Sequence, residues 1–190
     1  LGNRFNLYTL RHRIRIGDTM PNTYQVISSV TVGSGGAANI TFSSIPQTFT
    51  DLVVKLSGRS SRSAAVGEEF YLTFNGNTSS YSERQLRGDG SSVISQTFSG
   101  SSIQQLGQPG AGATANTFGN WEFYIPNYAG SNNKSISLDG VTENNATQSY
   151  TYLEAGLWSN SAAITSITIS AGSYLAVEHS TAVLYGIKNS

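Results

Sequence analysis

Chemistry needs particular side chains brought together, and this sequence offers few sets that qualify. Two histidines are present, His12 and His179, and His179 follows Glu178 in a serine-rich chain. A Ser/His/acid triad requires a nucleophile on a strained turn and a base within hydrogen-bond reach. No G-x-S-x-G elbow occurs, so His179 reads as a loop histidine. Glu68 and Glu69 are adjacent, but neighbours along a strand point to opposite faces, which disfavours two carboxylates facing one glycosidic bond. They read as solvated charge. Residues 110–115, GAGATA, match G-x-G-x-x-A, yet the dinucleotide fingerprint needs a strand before it and a helix after it. Gly33–Gly36 fails as a phosphate cradle for the same reason. No cysteine is present, so there is neither a disulfide nor a thiolate metal site. No catalytic, cofactor-binding or metal-binding residue is assigned, and no enzyme activity is expected.

Binding motifs are equally sparse. Arg87-Gly88-Asp89 spells the integrin-binding tripeptide, flanked by Gly90 in a turn-like setting. Four N-x-S/T sequons begin at Asn39, Asn77, Asn133 and Asn145; without a secretory signal they imply nothing about glycosylation. The aromatics carry more information. Tyr124, Tyr128, Tyr150, Tyr152 and Trp158 crowd the second half of the chain, more than one core is expected to absorb, and exposed Tyr and Trp suit protein interfaces and sugar stacking alike. Trp121 and Trp158 are expected in the core.

The elements that position these residues read as strands. In residues 116–129, NTFGNWEFYIPNYA, the apolar Trp121, Phe123 and Ile125 alternate with Glu122 and Tyr124, the period of a strand buried on one face. Pro126 stops the ladder because it has no N–H to donate. This is expected to be a central strand. Other strands are expected over 24–32, 38–42, 51–58, 70–74, 81–87, 93–98, 135–142, 150–158, 164–169 and 182–188. Gly33–Gly36 and Asn75-Gly76-Asn77 read as hairpin connections, and 100–115 as a long surface loop. No helical i, i+3, i+4 pattern of useful length appears. About ten short strands at this spacing predict an all-β antiparallel sandwich, jelly-roll-like, with an immunoglobulin-like sandwich as the alternative. Leu52, Val54, Phe70, Leu72, Trp121, Phe123, Ile125, Leu138, Ile167, Ile169, Val183, Tyr185 and Ile187 are the predicted core.

Composition sets the remaining bounds. The chain has 190 residues, of which only 12% are charged against 38% hydrophobic and 11% aromatic; a folded β domain with a weakly charged, hydroxyl-rich surface follows. Such surfaces are common where neighbouring subunits cover them. Residues 1–23 differ from the rest and read as an extended basic arm ahead of a sandwich domain over 24–190. Arg4, Arg11, Arg13 and Arg15 against Asp18 alone make residues 1–19 carry +3, and with zero overall the remainder carries −3. Arg11, Arg13 and Arg15 alternate with Ile14 and Ile16, so one face of an extended arm is cationic and suits a partner's strand edge or acidic surface. Met20-Pro21-Asn22 also reads as a native start, which leaves residues 1–19 as a genuine arm or an upstream-start artefact. No apolar run reaches the roughly 20 residues that span a bilayer, and the N-terminus lacks a signal-peptide core. Neither a membrane nor a nucleic-acid partner is expected.

Several segments carry a family resemblance. Residues 20–60 (MPNTYQVISSVTVGSGGAANITFSSIPQTFTDLVVKLSGRS), 115–135 (ANTFGNWEFYIPNYAGSNNKS), 141–146 (VTENNA), 157–169 (LWSNSAAITSITI) and 184–190 (LYGIKNS) resemble a family of tailed-bacteriophage virion proteins. Its members are met mostly in marine and cyanobacterial phages. The likeness covers about residues 20–190, with IPNYAG, ENNAT, LWSN and LYGI its most specific motifs, and leaves out residues 1–19. It implies a virion structural component assembled in the host bacterial cytoplasm. Two functions are compatible with that. One is a capsid decoration or cement protein, trimeric, adhering to the major capsid protein or other virion proteins. The other is a receptor-binding tail-fibre or spike tip that recognises host-surface glycan.

The arm generates the first prediction. Four guanidinium groups beside Leu7, Leu10, Ile14 and Ile16 cannot enter their own domain's core without partners, but they can satisfy carboxylates or carbonyls of a neighbouring subunit. Deleting residues 1–19 is expected to leave the melting temperature nearly unchanged and to weaken retention on purified particles, more so at raised salt. Equal retention of truncated and full-length protein at low and high salt rules out this anchoring role.

Overall fold

A computed structural model describes residues 23–145 and 148–188; the arm with Arg4, Arg11, Arg13 and Arg15, and His12 with it, lies outside them. The described chain is all-β, with twelve antiparallel strands: β1 (Tyr24–Thr31), β2 (Asn39–Phe42), β3 (Asp51–Gly58), β4 (Val66–Phe74), β5 (Tyr81–Gly88), β6 (Val93–Gly100), β7 (Ile103–Pro109), β8 (Gly119–Ile125), β9 (Lys134–Val141), β10 (Thr151–Trp158), β11 (Ile167–Ser170) and β12 (Thr181–Ile187). No helix occurs among the described residues. One sheet has the order β1-β12-β3-β8-β9-β10-β5-β6 and the other β2-β11-β4-β7.

The pairing settles the topology. Setting aside β5, β6, β9 and β10, the remaining eight strands pair first with last and so inward: β1 with β12, β2 with β11, β3 with β8, β4 with β7. That is a long ribbon folded back on itself and wrapped into two sheets, a jelly roll, and not the immunoglobulin arrangement. The β12–β3 and β11–β4 ladders complete the two four-stranded halves. The β9–β10 and β5–β6 pairs are insertions into this frame. Both are added beyond β8 on the same side, so one sheet grows to eight strands while its partner keeps four.

Periodicity explains the core. In β8, Trp121, Phe123 and Ile125 are buried while Asn120 and Tyr124 are exposed. In β9 burial alternates without a break, with Lys134, Ile136, Leu138 and Gly140 inward. The buried Lys134 ammonium donates to the Gly130 and Asn132 carbonyls of the preceding turn, which offsets its desolvation. Gly130 N–H closes that turn on the Asn127 carbonyl, with Asn127 in the left-handed region, φ 49°. Trp121 is fully buried and joins the two sheets: its indole N–H donates to the Gly107 carbonyl in β7 of the opposite sheet at 2.8 Å. Across the β8–β9 ladder it faces Gly140, where a Cβ would fall 2.3 Å from the indole. Tyr152 packs on its other side, ring centroids 4.9 Å apart.

Several expectations are corrected. Val183 and Tyr185 face outward and are only half-buried, whereas Ala182 and Leu184 face the core and Ile187 is buried. Both parities of β12 are apolar, and the parity that faces the core carries Gly186, over which the Phe49 ring lies, 2.3 Å from where a Cβ would stand. Residues 103–109 are not loop but β7, held inward by Ile103 and Leu106 despite three glutamines and Pro109. Neither Gly33–Gly36 nor Asn75-Gly76-Asn77 joins a hairpin; each carries the chain from one sheet to the other. The second keeps primed-turn geometry, with Asn75 and Gly76 at φ 53° and 65° and Asn77 N–H bonded to the Phe74 carbonyl. Twelve strands stand where about ten were expected. Of the aromatic cluster, Tyr128, Tyr152 and Trp158 are buried with Trp121, while Tyr150 is half-buried and Tyr124 exposed.

Trp121→Ala is expected to cost about 3–5 kcal/mol, from the cavity and the lost inter-sheet hydrogen bond. Gly140→Ala, with no cavity at all, is expected to destabilise by about 1–3 kcal/mol through overpacking against the indole. Urea unfolding of both variants checks this, and a loss under about 1 kcal/mol for Trp121→Ala excludes a core role.

Candidate interaction surfaces

The residues singled out for catalysis do not converge. Glu178 and His179 are exposed in the segment before β12, and the His179 side chain bonds no described residue; its backbone N–H donates to the Val32 carbonyl. The neighbouring Ser180 hydroxyl accepts from Arg59 N–H at 3.2 Å. Glu68 and Glu69 fall within β4, with their side chains outside the described residues. Residues 110–117 wrap around a guanidinium: Arg59 Nη1 donates to the Thr114 and Thr117 carbonyls at 2.8 and 2.9 Å, and Nη2 to the Ala113 carbonyl at 3.2 Å. The glycines of GAGATA thus serve a loop that grips an arginine. No group of three or more metal-ligating side chains occurs among the described residues.

The Arg87-Gly88-Asp89 tripeptide sits where β5 turns into β6, and both its charged side chains are engaged within the domain. The Asp89 carboxylate accepts from the N–H groups of Ser91 and Ser92 at 2.9 and 2.6 Å and from both serine hydroxyls. These bonds hold its pKa well below the usual carboxylate range. The Arg87 guanidinium lies 4.3 Å from the Tyr150 ring centroid, a cation–π contact. The tripeptide's local role is to close the β5–β6 turn.

That turn leads into an exposed edge strand. β6 is the last strand of the eight-stranded sheet, with no strand on its far side among the described residues. Its eight residues, VISQTFSG, pair with β5 in unbroken register, carry no charge and no proline, and are exposed except for half-buried Gln96 and Phe98. Such an edge presents unpaired backbone groups to any passing strand. The other edges are protected. β1 carries a register shift between Val26 and Ser28, β2 is four residues long, and β7 has two register shifts and ends at Pro109.

Apolar side chains continue from this edge across the outer face of the sheet. Leu86 and Leu153 stand opposite each other on β5 and β10, with Val93 and Val141 in the next outward row on β6 and β9. All four are exposed, from 43% for Val141 to 70% for Val93. A second outward cluster lies at the other end of the sheet. Val26, Tyr185, Val53 and Tyr124 line up across β1, β12, β3 and β8, and the Tyr124 hydroxyl donates to Asp51 at 2.9 Å. The Lys55–Glu122 ion pair, 2.6 Å, lies between the two clusters.

On its inner face, the overhanging hairpin is polar. Glu83 on β5 is buried beside its cross-strand neighbour Phe98 and accepts from Gln104 N–H on β7 at 2.8 Å. Gln85 Nε2 donates to Glu154 Oε1 at 2.7 Å. Burial pushes the Glu83 carboxyl up to about 7, against the opposing effect of the Gln104 hydrogen bond.

The outer face of the four-stranded sheet differs from both. Asn39, Ser170 and Tyr71 form one row across β2, β11 and β4, and Thr41, Thr168 and Thr73 the next. All of these except Thr41, with Gln104 and parts of the turns at 76–78 and 101–102, line an open groove of 590 Å³. No charged side chain lines it.

Comparison with protein-family models, with curated proteins and with solved structures finds no match to this chain.

Sequence pattern alone did not reveal the open edge. β6 reads as a weak strand, and its exposure on both faces depends on which strands the topology places beside it.

Glu83 generates a pH prediction. Its carboxyl binds a proton in the folded state up to about pH 7 but releases it in the unfolded chain near 4.5. The stabilisation is therefore fully present below 4.5 and is lost as pH rises through 7, by up to about 3 kcal/mol. Glu83→Gln is expected to flatten this dependence in urea unfolding across that window. An unchanged slope in the variant assigns the dependence elsewhere.

Proposed function

We propose that this protein is a structural component of a tailed-bacteriophage virion, a decoration or cement protein that works by adhesion and not by catalysis. The observation that carries the reading is the undefended β6 edge. A strand of a neighbouring virion subunit pairs with it and extends the sheet, and the Leu86, Leu153, Val93 and Val141 side chains bury against that neighbour. Backbone hydrogen bonds set the register and apolar burial supplies the affinity, the general logic of strand addition. The neutral surface supports the reading, because an edge without Lys, Pro or a bulge is a hazard in an isolated protein and an asset in one whose edge is covered on assembly. The family resemblance of residues 20–190 supplies the phage context.

The test is co-sedimentation of the full chain with purified particles stripped of it. Ser95→Lys combined with Thr97→Lys places two charges on the outward face of β6 and disturbs no core side chain. The variant is expected to keep its melting temperature and to lose at least about tenfold in retention. Retention equal to the native protein overturns the edge as the attachment site. Copy number per particle by quantitative mass spectrometry separates the locations: hundreds are expected on a head lattice, a few dozen or fewer at a tail.

A further inference from the structure

We infer that the groove on the outer face of the four-stranded sheet is a binding site for a neutral saccharide, with Tyr71 as the stacking surface and Asn39, Gln104, Thr73, Thr168 and Ser170 as the hydrogen-bonding rim. The lining has the chemistry of a sugar site. A hexose ring offers apolar C–H faces, which pack on an aromatic ring, and equatorial hydroxyls, which need both donors and acceptors. Tyr71 is half-buried on β4, beside Ser170 in the row Asn39–Ser170–Tyr71. Threonine and serine hydroxyls can give and take a proton, and the Asn39 and Gln104 amides do both at separate atoms.

Those groups are available. The side chains of Asn39, Tyr71, Thr73 and Gln104 make no hydrogen bond to another described residue. Thr168 Oγ1 meets only Thr41 Oγ1, at 3.3 Å, and Ser170 Oγ accepts only from Gly172 N–H, at 3.1 Å. They are also well placed. Tyr71, Thr73, Thr168 and Ser170 stand on paired strands whose inward residues Leu72, Phe74, Ile167 and Ile169 are core, so little ordering is needed on binding. Gln104 is positioned through its own N–H, which the buried Glu83 carboxyl holds. At 590 Å³ the groove has room for a short oligosaccharide segment. The absence of any lining cation or carboxylate selects against sulfated, uronic or sialylated chains, because an ionised group entering such a site loses hydration without gaining a partner. The groove lies on the opposite sheet from β6, so the inference stands independently of the edge-strand reading.

The test is titration of the full chain with neutral oligosaccharides of the gluco-, galacto-, manno- and N-acetylglucosamine series, followed by amide NMR, beside one sulfated and one uronic oligosaccharide. At least one neutral probe is expected to shift the amides of Tyr71, Thr168 and Ser170 with a dissociation constant on the order of 1 mM, unchanged by salt. Tyr71→Ala is expected to weaken it by about tenfold or more, and Tyr71→Phe, which keeps the ring, by only a few fold. The Ser95→Lys/Thr97→Lys protein is expected to bind it as the native does. No response to any neutral probe at about 10 mM, binding confined to the charged probes, or binding indifferent to Tyr71→Ala overturns the site.

Discussion

The fold depends on one side chain reaching from one sheet to the other. Trp121 belongs to the eight-stranded sheet, yet its N–H is satisfied only by the Gly107 carbonyl of the four-stranded one. A buried indole N–H without a partner costs about 1–3 kcal/mol, so the bond fixes where β7 lies over β8. The ring needs space on its own sheet, and Gly140 gives it. Gly107 meets a similar demand from the opposite side, since a Cβ there would fall 2.1 Å from the Tyr152 hydroxyl. Two glycines and two aromatics on β7, β8, β9 and β10 therefore define the spacing of the sandwich at its centre: a shift of register by one residue in β8 or β10 would turn a ring into solvent, and one in β7 or β9 would move the glycine that leaves the ring its space.

The unequal sheets follow from where the insertions join this centre, and the surface chemistry follows from the inequality. Four strands cannot cover eight. Under the small sheet, the inner face is aliphatic and aromatic, from Leu52 and Val54 to Phe123 and Leu138. Beyond it, where β5 and β10 reach the margin at β7, inward positions become Glu83, Gln85 and Glu154. Glutamate and glutamine there can bond to each other and to the margin of β7, as Gln85 does to Glu154 and Glu83 to Gln104. Farther out, β6 has no opposing sheet strand to bury a regular inward face against, and its alternation fades. The open edge is thus the far end of a gradient from dry core to wet margin.

This gradient also explains which parts were legible in the sequence. Strands with a covered face announce themselves: β8 and β9 alternate as their residues predict, and so the all-β sandwich and its core around Trp121 could be read directly. β12 has apolar residues on both parities, and the parity that faces the core includes Gly186, packed under Phe49 from 137 residues earlier in the chain, a contact that no local pattern contains. β7 hid behind Gln104, Gln105, Gln108 and Pro109, because tertiary burial overrode a loop-like composition. The turn at Asn75-Gly76 shows a subtler failure. Its backbone has the geometry its residues call for, but the two strands it connects join different sheets. Local turn chemistry specifies a bend in the chain and says nothing about which strand receives its end. The groove was invisible for the same reason, since Asn39, Tyr71 and Thr168 meet only through the β2–β11–β4 ladders.

The scarcity of charge gives these surfaces a common physical character. An association driven by backbone pairing and apolar burial at β6, or by stacking and neutral hydrogen bonds over β4 and β11, gains little from long-range attraction and loses little to salt. Its encounter rate is the ordinary one for docking two patches, and its selectivity rests on shape and on hydrogen bonds that must be matched one by one. Charge in this chain is concentrated instead in residues 1–19, with four arginines against Asp18 alone. Charge of that kind obeys the opposite rule, because its attraction reaches farther than a contact and is weakened by salt.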